Sequence, residues 1–353
     1  MSNIRTGLLA CTQEAEWDAY VLHHPDGSLC HLAAWKKVIE KAYEHKGYYL
    51  LATEGETLVG LLPLFHIKSR LFGSSLVSMP YLNYGGILAE TTEAESRLLE
   101  EALRLCSELN VSTLELRQTR PFNYEPPVSE YRFIDRVEKV RMLLELPDSP
   151  DALFRSFKSK LRSQIRRPQK EGMEAETGGV ELLNDFYRVF SLNMRDLGSP
   201  VHSKRLFGEI FAHLQPYVRI GVVRHMGSPV GAGLIFCFRN TVEIPWASTL
   251  RDYNRLSPNM LLYWSLLEYA CVKGFRFFDF GRSTPEEGTY RFKKQWGAQP
   301  YPMHWFSGYR TGTKAPISPA QSRGMKTVSS LWKRLPLFLA NLLGPKIRRS
   351  ISL

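Results

Sequence analysis

Phe278-Asp279-Phe280-Gly281-Arg282-Ser283-Thr284-Pro285-Glu286-Glu287-Gly288-Thr289-Tyr290-Arg291-Phe292-Lys293-Lys294-Gln295-Trp296-Gly297 begins inside a short apolar strand, Arg276–Phe280, and ends in a cluster of aromatic and cationic residues. Immediately upstream, a long helix is predicted over about 258–273. Before it, Tyr217–His225 and Val230–Arg239 read as two strands of a hairpin about Gly227-Ser228-Pro229. The N-terminal half follows the same order. Residues 33–43 look helical, and Tyr48–Thr53 and Thr57–Ile67 form a hairpin broken at Glu54-Gly55-Glu56. A helix over roughly 93–109 then leads to the alternating strand Ser112–Gln118. Leu58-Val59-Gly60 in one half corresponds to Pro229-Val230-Gly231 in the other, and Leu114-Glu115-Leu116 to Phe277-Phe278-Asp279. Hairpin–helix–strand, met twice, suggests duplication, although the succession is a common one.

Between the halves lie a proline-rich loop (Pro121, Pro126, Pro127) and a strand over Val137–Leu146. Pro147-Asp148-Ser149-Pro150 then punctuates the chain. The expected division is therefore 1–147, 148–310 and a tail over 311–353. With 353 residues, 44% of them hydrophobic and 23% charged, the composition is that of a soluble protein with two ordinary domains. Cys11, Cys30, Cys106, Cys237 and Cys271 are dispersed, so neither a disulfide framework nor a zinc site is expected. No signal-peptide pattern opens the chain and no apolar run reaches spanning length, so a cytoplasmic protein is expected. Walker A, G-x-G-x-x-G, zinc-finger and RNP-like patterns are absent, which argues against nucleotide cofactors and sequence-reading modules.

Charge is unevenly placed. Of the net +11, eight cations without any acid lie in 311–353, leaving 11 − 8 = +3 for the remainder. Within the tail, Leu331-Trp332-Lys333-Arg334-Leu335-Pro336-Leu337-Phe338-Leu339-Ala340-Asn341-Leu342-Leu343 is an apolar stripe flanked by basic clusters. Residues 331–349 suit peripheral contact with an anionic membrane at its inner face; docking on the protein's own surface is the other reading. A second basic stretch, Phe154–Lys170, holds seven cations and no acid. Phe154, Phe157, Leu161 and Ile165 recur at helical spacing, which leaves Lys158, Lys160, Arg162, Arg166 and Arg167 as a polyanion-binding set or a solvated face.

The 278–297 stretch resembles the FemAB signature, in which a strand ending D-x-G leads to a helix carrying F-K-x-x-F/W-G. Lys158–Gly172 resembles that family's basic helix, and Asn83-Tyr84-Gly85-Gly86 and Leu256-Ser257-Pro258-Asn259 are also similar to it. The likeness covers about residues 25–305 and is greatest to FemAB-like proteins of exosortase/PEP-CTERM systems, whose ends W-K-R-L-P also resembles. The resemblance implies an α+β fold of two tandem GNAT-like domains with mixed central sheets, here followed by a basic amphipathic tail. It also implies acyl transfer to an amine, with the acceptor in a cleft, and aminoacyl-tRNA as donor in the peptidoglycan branch. Lys293 is then the leading catalytic residue, with Phe292 beside it. A fixed ammonium in a dry aromatic setting of Tyr290 and Trp296 stabilises the oxyanion of acyl transfer. A lysine pair on a helix is otherwise an exposed feature. Asp279 either acts on the incoming amine or holds the next turn. Trp35, Lys37, Tyr84, His202 and Arg282 are candidate acceptor contacts, His202 being alternatively a base or a surface group.

Ordinary GNAT enzymes hold coenzyme A pyrophosphate with a Q/R-x-x-G-x-G/A turn at a helix start. Asp252-Tyr253-Asn254-Arg255-Leu256-Ser257-Pro258-Asn259 offers no glycine there, and Arg70-Leu71-Phe72-Gly73-Ser74-Ser75 fits only loosely. Aminoacyl-tRNA is thus favoured over acyl-CoA as a co-substrate, with no tightly bound cofactor and no metal expected. The acceptor expected is a cell-envelope or exopolysaccharide precursor, nucleotide- or lipid-linked. An acetyl-CoA-dependent acetyltransferase and a non-catalytic membrane-surface scaffold are the competing readings.

Overall fold

A computed structural model describes residues 3–69, 73–121, 130–312 and 323–352. Arg70, Leu71, Phe72, Pro126, Pro127 and Lys314 lie outside the described residues. Two compact units account for the rest: one within Met1–Lys139, Pro302–Pro316 and Ser350–Leu353, the other within Val140–Tyr301 and Ile317–Arg349. This division differs from the boundaries expected at 147 and 310, because the strand expected over 137–146 begins at Val140 and belongs from there to the second unit, while Pro302–Arg310 belongs to the first.

The chain passes through β1 (Ile4–Leu8), α1 (Glu14–His23), α2 (Ala34–Tyr43), β2 (Lys46–Glu54), β3 (Thr57–Ser69), β4 (Gly73–Val77) and β5 (Leu88–Ala89). It continues with α3 (Thr92–Glu108), β6 (Thr113–Gln118), β7 (Tyr131–Arg136), β8 (Val140–Glu145), α4 (Pro150–Ser156), α5 (Ser159–Lys170) and β9 (Met173–Gly178). Then come α6 (Leu183–Leu197), α7 (Lys204–Leu214), β10 (Val218–His225), β11 (Ser228–Phe238), β12 (Thr241–Thr249) and α8 (Pro258–Val272). The last elements are β13 (Phe277–Ser283), α9 (Gly288–Lys294), β14 (Gln299–Pro302), β15 (His304–Arg310), α10 (Arg323–Trp332) and α11 (Leu337–Arg348).

The first sheet runs β1-β2-β3-β4-β6-β15-β7, with β5 added on β3; the second runs β9-β10-β11-β12-β13-β8-β14. The two orders superpose strand for strand. In each, an antiparallel meander ends in a parallel pair, β4 with β6 or β12 with β13, connected through one helix, α3 or α8. Both parallel ladders last three residues, Ser75–Val77 against Thr113–Glu115 and Thr241–Glu243 against Phe277–Asp279. The chain is therefore α+β with two tandem GNAT-like domains. The ladders equate Glu115 with Asp279, one residue away from the correspondence read in the sequence.

Local chemistry explains the elements. Met226 (φ 50°) and Gly227 (φ 76°) both lie in the left-handed region, which makes the β10–β11 connection a two-residue turn of the type that matches strand twist. Thr91 Oγ1 accepts the Ala94 N–H at 3.2 Å and starts α3, whose Leu98, Leu99, Ala102 and Cys106 are buried in the first core. Helix α8 carries Met260, Leu262, Trp264, Leu266 and Leu267 in the second core. It is apolar nearly all round because the sheet lies on one side and α4 and α5 on the other. The expected single helix over 154–170 is two helices. Ser149 Oγ caps α4 on Ala152 N–H at 3.2 Å, and the extended backbone of Phe157 (ψ 146°) ends it.

Arg117 in the first unit is fully buried on β6. Its guanidinium donates to Met79 O (2.6 Å), Leu82 O, Ser352 O (3.1 Å) and Glu115 Oε1 (2.7 Å), and so fills the gap where β4 and β6 part. Arg117→Met would leave a carboxylate and three carbonyls without their donor. It is expected to lower unfolding free energy by about 3–5 kcal/mol, read as a fall in the urea midpoint at unchanged slope.

Candidate active site

In the second unit the parallel strands part after a ladder of the same length. On β12, Glu243 faces Phe236 and Trp246 faces Leu234, so one extra residue stands at Ile244-Pro245. Pro245 has no N–H to offer a ladder. On β13, Asp279 faces Leu143 and Arg282 faces Arg141, again with one extra residue. Gly281 takes this second bulge at φ 70°, a left-handed conformation that a side chain disfavours. Two bulges on adjacent strands bend them apart and release backbone groups from pairing. Counting from the ladders, Gly281 stands where the first unit has Arg117.

Two charged side chains grip the Gly281 bulge from either end. Asp279 is fully buried; its Oδ1 accepts the Gly281 N–H at 2.8 Å and its Oδ2 accepts Arg141 Nε at 2.6 Å. Lys293, buried on α9, donates through Nζ to Arg282 O at 2.7 Å and Gly281 O at 3.3 Å. Burial lowers the Lys293 ammonium to about 8, Asp279 opposing the shift and Arg282 adding to it. It is thus charged at neutral pH, with one of its three N–H bonds unused by any described residue. Ser283 Oγ at the end of β13 and the Trp296 indole N–H are buried without hydrogen-bond partners among the described residues.

Aromatic rings make this region dry. Phe292 packs edge-on to Tyr263 (5.0 Å between centroids) and 6.2 Å from Trp296, and Trp296 also meets Phe157 at 5.5 Å. Burial pushes the Tyr263 phenol up to about 12. Tyr290 is buried, with the Lys294 ammonium 5.4 Å over its ring, and Arg282 is half-buried. Of the candidates read from the sequence, the second unit thus gathers Asp279, Arg282, Tyr290, Phe292, Lys293 and Trp296. Arg141, Gly281, Ser283 and Pro245 were not singled out, and only strand register reveals them.

The remaining candidates lie elsewhere. Trp35 is a core residue of the first unit whose indole N–H donates to Leu29 O at 2.9 Å, a correction to its expected substrate-facing role. Lys37 is exposed and paired with Glu14 at 2.6 Å, and Tyr84 is buried. His202 is neither a surface group nor an accessible base. It sits among Phe190, Phe207 and Trp246, its Nε2 accepting Arg348 Nε at 3.1 Å. Burial and the Arg348 charge hold its imidazole neutral, well below the usual value.

Leu161, Ile165 and Pro168 bury one face of α5, and the other face lines a concavity of about 560 Å³ with Arg162, Arg166, Arg167 and Lys170. Lys158 and Lys160 are exposed at its start. None of these six cations has an ion pair among the described residues; Arg166 instead lies 5.0 Å over the Phe154 ring. At the other helix start, Arg251–Leu256 is a 3-10 turn, Ser257 has φ 59°, and Pro258 opens α8 without an N–H. The Met260 N–H is already given to Ser257 O at 3.0 Å. Few amides face outward there.

Residues 155–294 match the acetyltransferase (GNAT) domain family. No curated protein matches the sequence. Among solved structures, FemX is similar with a TM-score of 0.65 at 15% identity, over 87% of this chain and 97% of that one. A tandem GNAT protein from the clavulanic acid biosynthesis pathway gives 0.53 at 11% identity, over 89% and 100%. L-PGS from Bacillus licheniformis gives 0.53 at 14% identity, over 91% and 97%. At these identities the likeness establishes the tandem GNAT fold. Among the described residues, no group of His, Cys, Asp and Glu has a metal-holding arrangement, and no helix is long and apolar enough to cross a membrane.

The lowered Lys293 value sets a pH dependence. Between about pH 8 and the ordinary lysine value of 10.5 the unfolded chain holds the proton that the folded chain has released. Stability attributable to this residue therefore rises with pH across that window. Urea midpoints of the wild type relative to Lys293→Met should climb from pH 8 towards 10.5. A constant difference would mean that the ammonium is not buried.

Proposed function

We propose that this chain is an N-acyltransferase whose second GNAT domain carries the reaction. The observation that supports this most directly is the buried Lys293 ammonium on the bulged end of β13, beside the parting of β12 and β13. Attack of an amine on an activated carbonyl forms a C–N bond and places negative charge on oxygen. Collapse breaks the C–O or C–S bond, the amine loses one proton and the leaving group gains one. The unused N–H of Lys293 suits that oxyanion, in surroundings too apolar to screen it. Asp279 and Arg141 act as positioning residues, because both oxygens of the carboxylate are already engaged. In the first unit Arg117 fills the corresponding gap, so that unit is assigned to acceptor binding or scaffolding.

For the donor we favour an aminoacyl ester of tRNA. The unpaired cations of α5 suit a phosphate backbone, whereas the start of α8 presents few amides to a coenzyme A pyrophosphate. The acceptor class follows from the sequence resemblance to FemAB-like proteins of exosortase/PEP-CTERM systems: an amine on a cell-envelope or exopolysaccharide precursor. No tightly bound cofactor is needed for such a reaction.

Lys293→Met should lower kcat about 10²–10³-fold, the usual loss for one oxyanion donor, in an assay following radiolabelled amino acid from tRNA to amine acceptors. Wild-type activity should fall as pH rises through about 8, where the ammonium is lost. An unchanged rate in a folded Lys293→Met variant would remove the catalytic assignment. Combined Arg162→Glu, Arg166→Glu and Arg167→Glu substitutions should weaken tRNA retention on filters and flatten its dependence on log salt by about 0.7 per cation. Calorimetric binding of acetyl-CoA with no binding of tRNA would favour the acyl-CoA reading instead.

A further inference from the structure

Helix α11 packs on its own domain the wrong way round for a structural helix. Ala340 and Gly344 are buried against α6 and the segment before α7, and a Cβ on Gly344 would come within 3.0 Å of the Val201 backbone. Leu337, Asn341 and Arg348 share this docked arc, and Arg348 fastens it by donating Nε to His202 at 3.1 Å. The opposite arc holds Phe338, Leu342, Leu343 and Ile347, exposed by 70, 57, 40 and 39% respectively, with Lys346 among them. Leu331 on α10 is likewise 62% exposed. The two buried positions are small, Ala340 and Gly344, while four large apolar residues face water. Burying the large ones would favour the reverse orientation, so the exposed arc is suited to another apolar phase.

Charge identifies that phase. Lys333 and Arg334 between the helices, Lys346 and Arg349 at the end of α11 border the apolar arc, and no acid occurs anywhere in 311–353. We propose that α10 and α11 form a built-in anchor that seats on an anionic lipid bilayer, apolar residues among the acyl chains and cations on the headgroups. Docking through Gly344 and Arg348 fixes which arc points outward. Self-association through the same arc is disfavoured, because it would bring the bordering cations of two copies together.

The test is flotation of the full chain with vesicles of phosphatidylcholine alone or of phosphatidylcholine mixed with phosphatidylglycerol. Expected is binding to the anionic vesicles, weakened by salt, with little to the neutral ones. Phe338→Glu combined with Leu342→Glu, both exposed and therefore neutral for folding, should lower partitioning at least tenfold. Lys333→Glu with Arg334→Glu should lower it by about 25-fold or more. Unaltered thermal unfolding shows that the variants are folded. Absence of binding, or binding that both variants retain, overturns the proposal. So does a concentration-dependent dimer, seen by light scattering, that Phe338→Glu/Leu342→Glu abolishes while vesicle binding is absent. None of these readouts depends on catalysis.

Discussion

The second domain is organised around one short parallel ladder that stops at Glu243 and Asp279. If the pairing continued, β12 and β13 would be ordinary neighbours and no backbone groups would be released. It stops because Pro245 lacks a donor on one strand and a left-handed Gly281 inserts a residue on the other. Both irregularities need support. Asp279 with Arg141 holds the amide side of the glycine and Lys293 holds the carbonyl side. A buried cation and a buried carboxylate are individually costly. Here each is offset by hydrogen bonds to one backbone segment, which keeps the bulge in a single conformation.

Comparison of the two units shows one topology with different side chains at its weak point. Register equates Arg117 with Gly281. In the first unit the arginine spans the parting strands and makes five hydrogen bonds to backbone and carboxylate. In the second, a glycine stands at that position and the buried cation comes instead from α9. The sheet is conserved between the units while the chemistry at its weak point is not. The match of residues 155–294 to the acetyltransferase domain family falls on the unit that carries the glycine.

Much of this architecture could be read in the sequence, and the misses have physical reasons. The β2–β3 and β10–β11 hairpins, α3, α8 and β13 announce themselves by apolar runs and turn residues. Strand β12 does not, since Pro245 argues against a strand, and it is tolerated only at the bulge. Strands β7, β14 and β15 are short, and their sheet membership depends on partners far along the chain, which periodicity does not encode. His202 looked like a loop histidine because the aromatic residues that bury it, Phe190, Phe207 and Trp246, come from three other elements. Lys293, by contrast, can be singled out from F-K-x-x-W-G, and it is buried. The partners Arg141 and Gly281 were missed because their importance lies in register.

The tail shows where pattern and structure must be combined. Sequence alone leaves two readings of residues 331–349, docking on the protein or contact with a lipid surface. The proposed anchor reconciles the two, because the two demands fall on opposite arcs of α11. Ala340, Gly344 and Arg348 satisfy the first with small volume and one specific hydrogen bond to a neutral imidazole. Phe338, Leu342, Leu343 and Ile347 are left for the second. Protonation of His202 would remove the acceptor for Arg348 and set two cations face to face. Yet burial keeps that imidazole neutral far below physiological pH, so the clasp holds across the range in which an acyltransferase would work. The proposed anchor is therefore a fixed part of the domain, with the orientation of its apolar arc set by the fold before any surface is met.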